Sequence, residues 1–291
     1  MKLAAYLDQG RPCVGIVSSD LQSVLPLELS DADSARGALP IVELLAQGKP
    51  MPPTSAPVAL GAVKLIAPIP RPRRNVFCVG KNYHAHAREF AGSGFDSSAN
   101  SGGDIPAVPI YFTKVPESVI GPGEPIVIVP EVSTAIDYEA ELTVVIGRGG
   151  KRIKAADAMK HVWGYTIIND VTARDWQSRH SQWVLGKSFD TFCPMGPWLV
   201  SADECDGTDT GVRCYVNGEK RQDASTTDLI FDIPTLIETL SAGITLYPGD
   251  LIATGTPVGV GIGFKPPKYL KAGDVVRVEI DGIGALENPL R

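Results

Sequence analysis

The sequence predicts a mainly β protein with α+β character: a sandwich, roll or barrel of short strands carrying a few helices, preceded by a small unit over residues 1–70. Three observations predict it. Gly (30) and Pro (24) together stand well above the roughly 12% of average chains, which favours turns and short strands over long helices. Short apolar runs recur along the chain between turn residues. Two dipeptides, Asn217-Gly218 and Asp281-Gly282, carry the signal of a tight hairpin turn.

The elements follow in order. Residues 3–7 and 13–17 read as strands around the turn Gln9-Gly10, and 39–47 as a short helix closed by Gly48. The proline-rich stretches 50–57 and 68–72 read as linkers, so the boundary falls near residue 70 and divides the chain into 1–70 and 71–291. Beyond it, 75–79 is an apolar strand followed by Gly80, and 82–90 a short helix. Residues 91–104, rich in Gly, Ser and Asn, read as a mobile loop: a lid candidate, or a plain surface loop. Strands are expected at 110–113, 126–129, 136–146 and 163–170, then a helix over 173–182. A hairpin joins 213–216 to 219–221. Asp232 is an N-cap, with Pro234 in the first turn, Leu236, Ile237 and Leu240 on one face, and Gly243 at the end. Residues 251–254 and 275–280 complete the strands.

Bulk properties exclude several classes. The net charge of −6 argues against nucleic acid as a partner. The one basic run, Arg71, Arg73 and Arg74, is interrupted by Pro72 and reads as a solvated linker. Five cysteines without a CxxC pair argue against a disulfide framework and against structural zinc. There is no long apolar run and no leader pattern in the first residues, so a cytoplasmic protein without a membrane partner is expected.

The chemistry concentrates in a few segments. In Asp137-Tyr138-Glu139-Ala140-Glu141, alternate side chains share a strand face, so the three acids point one way into a segment that turns apolar at Leu142. Like charges entering a core need a partner, and a divalent cation is a natural one. Asp170 ends the next apolar strand. Three carboxylates with waters suit Mg²⁺ or Mn²⁺; an exposed sheet face remains the plainer reading. His86 and Glu89 lie three apart on a helix, where a carboxylate could orient an imidazole as a general base, or form an ordinary surface pair. Arg174 and Gln177 share a face and could grip a substrate carboxylate, or Arg174 could pair with Asp175 or solvent. Lys187, between apolar stretches, could stabilise an oxyanion or simply be solvated. The run from Thr254 to Gly263 lacks the phosphate-loop signature; it could offer N–H groups and the Thr256 hydroxyl to a small ligand, or merely connect strands.

Taken in order, these motifs resemble those of the fumarylacetoacetate hydrolase superfamily. They are Val79-Gly80-Lys81-Asn82-Tyr83 with His86 and Glu89, Asp137 to Glu141, Asn169 to Asp175, Gly186-Lys187-Ser188-Phe189-Asp190 and Thr254-Gly255-Thr256-Pro257. The match spans about residues 70–291, and residues 1–70 resemble the small variable domain that many members carry. The resemblance implies a mixed β-roll catalytic domain, a homodimer and bound Mg²⁺ or Mn²⁺. It implies metal ligands at Glu139, Glu141 and Asp170, a water-activating pair at His86 and Glu89, and an enolate-stabilising Lys187. It further implies substrate-side positions at Arg174, Gln177 and Thr256. The activity it implies is hydrolysis of a carbon–carbon bond in a 2,4-dioxo acid of the acylpyruvate or fumarylpyruvate type. The alternatives are oxaloacetate-type decarboxylation and isomerisation of a 2-hydroxydienoate in aromatic catabolism.

Overall fold

The computed structural model describes residues 1–91 and 105–291. One large mixed sheet runs in the order Val58–Ala59, Ser23–Pro26, Arg11–Val17, Lys2–Asp8, Cys193–Ser201, Val162–Asn169, Ala140–Ile146, Leu251–Ala253, Val76–Gly80 and Ile110–Lys114. A second, antiparallel sheet is built from Glu219–Ser225, Gly211–Val216, Val275–Ile280 and Gly284–Pro289. The fold is thus mainly β, as the turn-rich composition predicts.

The central strands read as continuous apolar runs because both of their faces are covered. Along Ala140–Ile146 every residue is buried. Ala140, Leu142, Val144 and Ile146 join a core with Val212, Cys214, Val276 and Val278 of the second sheet. Val145 faces the opposite core, with Ile168, Cys78 and the helix residues Leu39, Ile41 and Val42. Residues 1–70 contribute to that second core, and they enter the large sheet through the pairing of Leu3 with Leu199.

Local signals operate as expected at several points. Asn217 and Gly218 take positive φ in the hairpin turn. Asp232 caps the helix Ile233–Ser241 by accepting from Thr235 N at 2.9 Å. Three expectations need correction. The strand over 136–146 is interrupted at Tyr138 and Glu139, leaving Ile136–Asp137 and Ala140–Ile146. The helix over 173–182 stops at Arg179, because His180 adopts an extended backbone, and a separate short helix, Val184–Lys187, follows beyond it. Residues 126–129 form no strand: Ile126 makes a single bridge to Leu290, and Pro125 and Pro130 bracket a segment that hydrogen-bonds the C-terminal residues instead. From residue 92 on, the expected lid loop at 91–104 lies outside the described residues.

Candidate active site

The antiparallel ladder of Ala140–Ile146 with Val162–Asn169 brings the acids together. It pairs Ala140 with Asn169, so Glu139 and Asp170 flank its last rung. Asp170 N donates to Glu139 O at 2.8 Å, and Glu139 N donates to the Asn169 side-chain oxygen at 3.0 Å. One carboxylate oxygen from each of Glu139, Glu141 and Asp170 lies within 4.8 Å of the others, and all three residues are buried. Asp137 does not join them. The break at Tyr138 turns it onto the glycine-rich loop, where it accepts from Gly261 N (2.6 Å) and Ile262 N (3.0 Å) and from Arg174 Nε (2.9 Å).

Three buried cations answer these acids. Lys187 Nζ bridges Glu139 (2.9 Å) and Asp170 (2.7 Å). Lys114 Nζ reaches the other oxygen of Asp170 at 2.6 Å and bonds Val171 O (3.1 Å) and the carbonyl of Lys187. Arg174 spans Asp137 and Glu139, at 2.7 Å from the latter, and donates to Gln177 Oε1 at 3.1 Å. The plainer alternatives for these side chains therefore do not apply: Lys187 is buried, and Asp175 takes the Ser133 hydroxyl at 2.6 Å rather than Arg174. Gly186 makes the assembly possible, since a Cβ there would stand 2.5 Å from Gln177 N and 2.8 Å from Ala173 O. Without a side chain, the turn carrying Lys187 packs directly on the helix carrying Arg174.

The two glutamates experience opposite fields. Burial works to raise the pKa of Glu139, but Lys187, Arg174 and His86 overcome it and hold the carboxyl at about 2. Glu141 is pushed well above the ordinary carboxylate range, by burial first and then by Asp170 and Glu139. Burial also opposes the charge of Lys187, yet Asp170 and Glu139 prevail and raise its pKa, so it remains an ammonium at neutral pH. One Glu141 oxygen accepts from Gly255 N at 3.0 Å; the other has no partner among the described residues. A buried, unpartnered carboxylate oxygen beside two further carboxylates is a hard-oxygen donor set that fits a divalent cation.

Above this floor opens a narrow cleft lined by Val79, Gly80, Lys81, His86, Phe112, Glu139, Arg174, Gln177, Trp183, Lys187 and Thr256. His86 and Glu89, on the helix His84–Ala91, meet as the i, i+3 spacing predicts: His86 Nδ1 lies 3.1 Å from Glu89 Oε2. This is not an exposed pair. His86 is buried, and Gly259 N donates to both Glu89 oxygens at 3.1 and 3.3 Å. Asn82 anchors the approach to this helix, donating to Thr254 O (2.8 Å) and Phe231 O (3.0 Å). All nine residues singled out from sequence thus lie at the floor, in the wall or directly behind the wall of one cleft. Sequence reasoning named Lys81 only as part of a motif, without a role, and passed over Lys114, Phe112, Trp183 and Gln222. The positive φ of Lys81 and the end position of Lys114 on its strand leave no mark in composition or spacing.

Comparison with known proteins agrees with this geometry. Residues 75–291 match the family model described as fumarylacetoacetate (FAA) hydrolase C-terminal. Over 233 residues, covering 80% of this chain and 74% of the relative, the sequence is 52% identical to oxaloacetate tautomerase YisK of Bacillus subtilis (strain 168). A solved fumarylacetoacetate hydrolase from Exiguobacterium antarcticum superposes with a TM-score of 0.85 at 39% identity, covering 100% of this chain and 99% of that one. The 2-hydroxyhepta-2,4-diene-1,7-dioate isomerase of Mycobacterium marinum gives 0.77 at 34% identity, covering 100% and 98%.

Proposed function

The chain belongs to the fumarylacetoacetate hydrolase family, and from that premise we propose that it is a divalent-metal-dependent enzyme that interconverts the keto and enol forms of a small 2-oxo acid of the oxaloacetate kind. The observation that carries this reading is a buried carboxylate triad that reaches the cleft through Glu139, with a carboxylate-oriented histidine in the wall of the same cleft. Two of the three named relatives, the tautomerase at 52% identity and the diene-dioate isomerase, are named for proton-transfer chemistry, and the third is named as a hydrolase.

Mg²⁺ or Mn²⁺ held by Glu139, Glu141 and Asp170 would supply Lewis-acid polarisation of the 2-oxo group, which acidifies the neighbouring C–H. His86 then acts as the base that takes the proton from that carbon. Glu89 engages its Nδ1 and so fixes the orientation of the ring in the cleft wall. Lys187, kept charged by its two carboxylates, stabilises negative charge that develops on the substrate oxygen. Arg174 and Gln177 orient a substrate carboxylate in the cleft, and Thr256 offers it a hydroxyl.

A second reading, hydrolysis of an acylpyruvate, is favoured by the same His86–Glu89 pair, which is equally suited to deprotonating a water. The two separate in one experiment. With Mg²⁺ present, the decay of the enol absorbance of oxaloacetate is followed beside a panel of acylpyruvates. Acceleration of enol–keto exchange without release of pyruvate is the expected result. Release of pyruvate and a carboxylic acid from acylpyruvates, with no acceleration of exchange, overturns the tautomerase reading in favour of hydrolysis.

A further inference from the structure

We propose that Gln222, which does not line the cleft, is the positioning residue that makes the Thr256 hydroxyl a proton donor into it, so that this side of the cleft takes an anionic substrate oxygen, a carboxylate or an enolate; the inference rests on the 2-oxo acid reading above. Gln222 belongs to the strand Glu219–Ser225 of the second sheet and is fully buried. Pairing along this hairpin slips by one residue: Gln222 faces Cys214 while Lys220 faces Tyr215, which leaves Arg221 as an extra, bulged residue. The glycine-rich loop rests on that bulge. A Cβ on Gly259 would stand 1.9 Å from Arg221 O, so only a bare backbone approaches this closely.

The orientation of the amide is fixed by the backbone. Gln222 Oε1 accepts from Ala140 N at 3.1 Å, and Nε2 donates to Pro257 O at 2.7 Å. A backbone N–H can only donate and a carbonyl can only accept, so turning the amide over would break both bonds. The second Nε2 hydrogen then falls on Thr256 Oγ1 at 2.8 Å. There the hydroxyl must accept, which leaves its own proton for another acceptor, and none of the described residues takes it. Thr256 lines the cleft beside Lys187 and Arg174. The proton therefore faces whatever occupies the cleft, and an oxygen bearing negative charge is its complement. The same amide holds Ala140, the residue between Glu139 and Glu141, so one side chain sets the distance between the carboxylate floor and the donor.

The test is calorimetric titration of Mn²⁺ and then oxalate, a planar dianion with the shape of a 2-oxo acid enolate, into the full-length protein. Gln222→Glu replaces the donating nitrogen by an acceptor and draws the Thr256 proton away from the cleft. Mn²⁺ affinity is expected to stay within about twofold, while oxalate binding weakens about tenfold, the scale of one lost hydrogen bond to a charged group. Thr256→Val should weaken oxalate to the same extent, Thr256→Ser should match the wild type, and the double variant Gln222→Glu/Thr256→Val should bind no more weakly than Thr256→Val alone. Losses that multiply in the double variant would mark Gln222 as merely structural and overturn the inference, as would unchanged oxalate affinity in Gln222→Glu. Should that variant not fold, Gln222→Met, which frees the hydroxyl to turn either way, replaces it; oxalate affinity equal to wild type in both Gln222→Met and Thr256→Val is the overturning result. A wild type that binds Mn²⁺ but no oxalate removes the 2-oxo acid reading and this inference together. Normal wild-type binding with an indifferent Gln222→Glu removes this inference alone.

Discussion

Glu139 and Glu141 stand two residues apart on one segment, equally buried, yet their surroundings differ completely. On the Glu139 flank every charge is answered: Arg174 and Lys187 pair with Glu139, and Lys187 and Lys114 with Asp170. On the Glu141 flank none of the described residues brings a cation into contact; one oxygen takes the Gly255 N–H and the other is unpartnered among them. Since an isolated buried carboxylate costs several kcal/mol unless it is neutralised or paired, the imbalance is deliberate architecture rather than a packing accident. The Glu139 flank is a finished ion-pair network, whereas the Glu141 flank lacks a cationic partner among the described residues, the place a divalent cation would take.

The largest expected effect comes from removing a carboxylate of the triad itself. Glu139→Ala should abolish calorimetric Mn²⁺ binding and lower enol–keto exchange about a thousandfold or more; retained Mn²⁺ affinity would place the cation elsewhere. Next is the compensation itself. Lys114 is fully buried and pairs with Asp170, and Lys114→Met leaves that carboxylate half-answered, so urea melts in EDTA should show a loss of about 3–5 kcal/mol. A loss under about 1 kcal/mol, the scale of an exposed pair, would mean that the Glu139 flank tolerates a deficit as well and that the contrast is false. Smaller again is the effect of the wall. Glu89→Gln should lower kcat about a hundredfold with Mn²⁺ affinity unchanged, because it disturbs the imidazole and not the floor.

The residues of this contrast were unequally legible in the sequence. Glu139, Glu141 and Asp170 stood out because strand alternation and an apolar strand end place acids where a core should begin. Lys114 did not, since a lysine closing the strand Ile110–Lys114 reads as solvated, and its burial depends on a carboxylate from a distant strand. Cys193–Ser201, buried along its whole length in the large sheet, was hidden by Pro194, Gly196 and Pro197, which ordinarily argue against a central strand. Gln222 sits in the polar run Glu219–Ser225, whose composition looks exposed; the bulge that turns it inward is a property of pairing register, which composition does not encode. The entry of residues 1–70 into the large sheet was invisible for a like reason, because Leu3 finds its partner at Leu199. Local chemistry was therefore readable, and long-range pairing was not.

The smallest predicted effect tests the deficit most directly. Glu141→Gln keeps the shape of the side chain and removes its charge, so the metal-free protein should melt about 2–4 °C higher than the wild type near neutral pH, in EDTA. The sign follows from the raised pKa of Glu141. A carboxyl whose folded pKa exceeds its unfolded value stabilises the fold fully below the unfolded pKa, and that contribution is lost as pH rises through the folded value. The advantage of Glu141→Gln should accordingly widen as pH is raised from the unfolded carboxylate range towards neutrality and level off once Glu141 is ionised. Mn²⁺ should invert the order, because an ion that binds only the folded wild type raises its melting temperature with concentration, and the variant gains nothing from it. A Glu141→Gln protein that melts below the wild type in EDTA at every pH would show that Glu141 is already compensated without a metal, and the two flanks would then be alike.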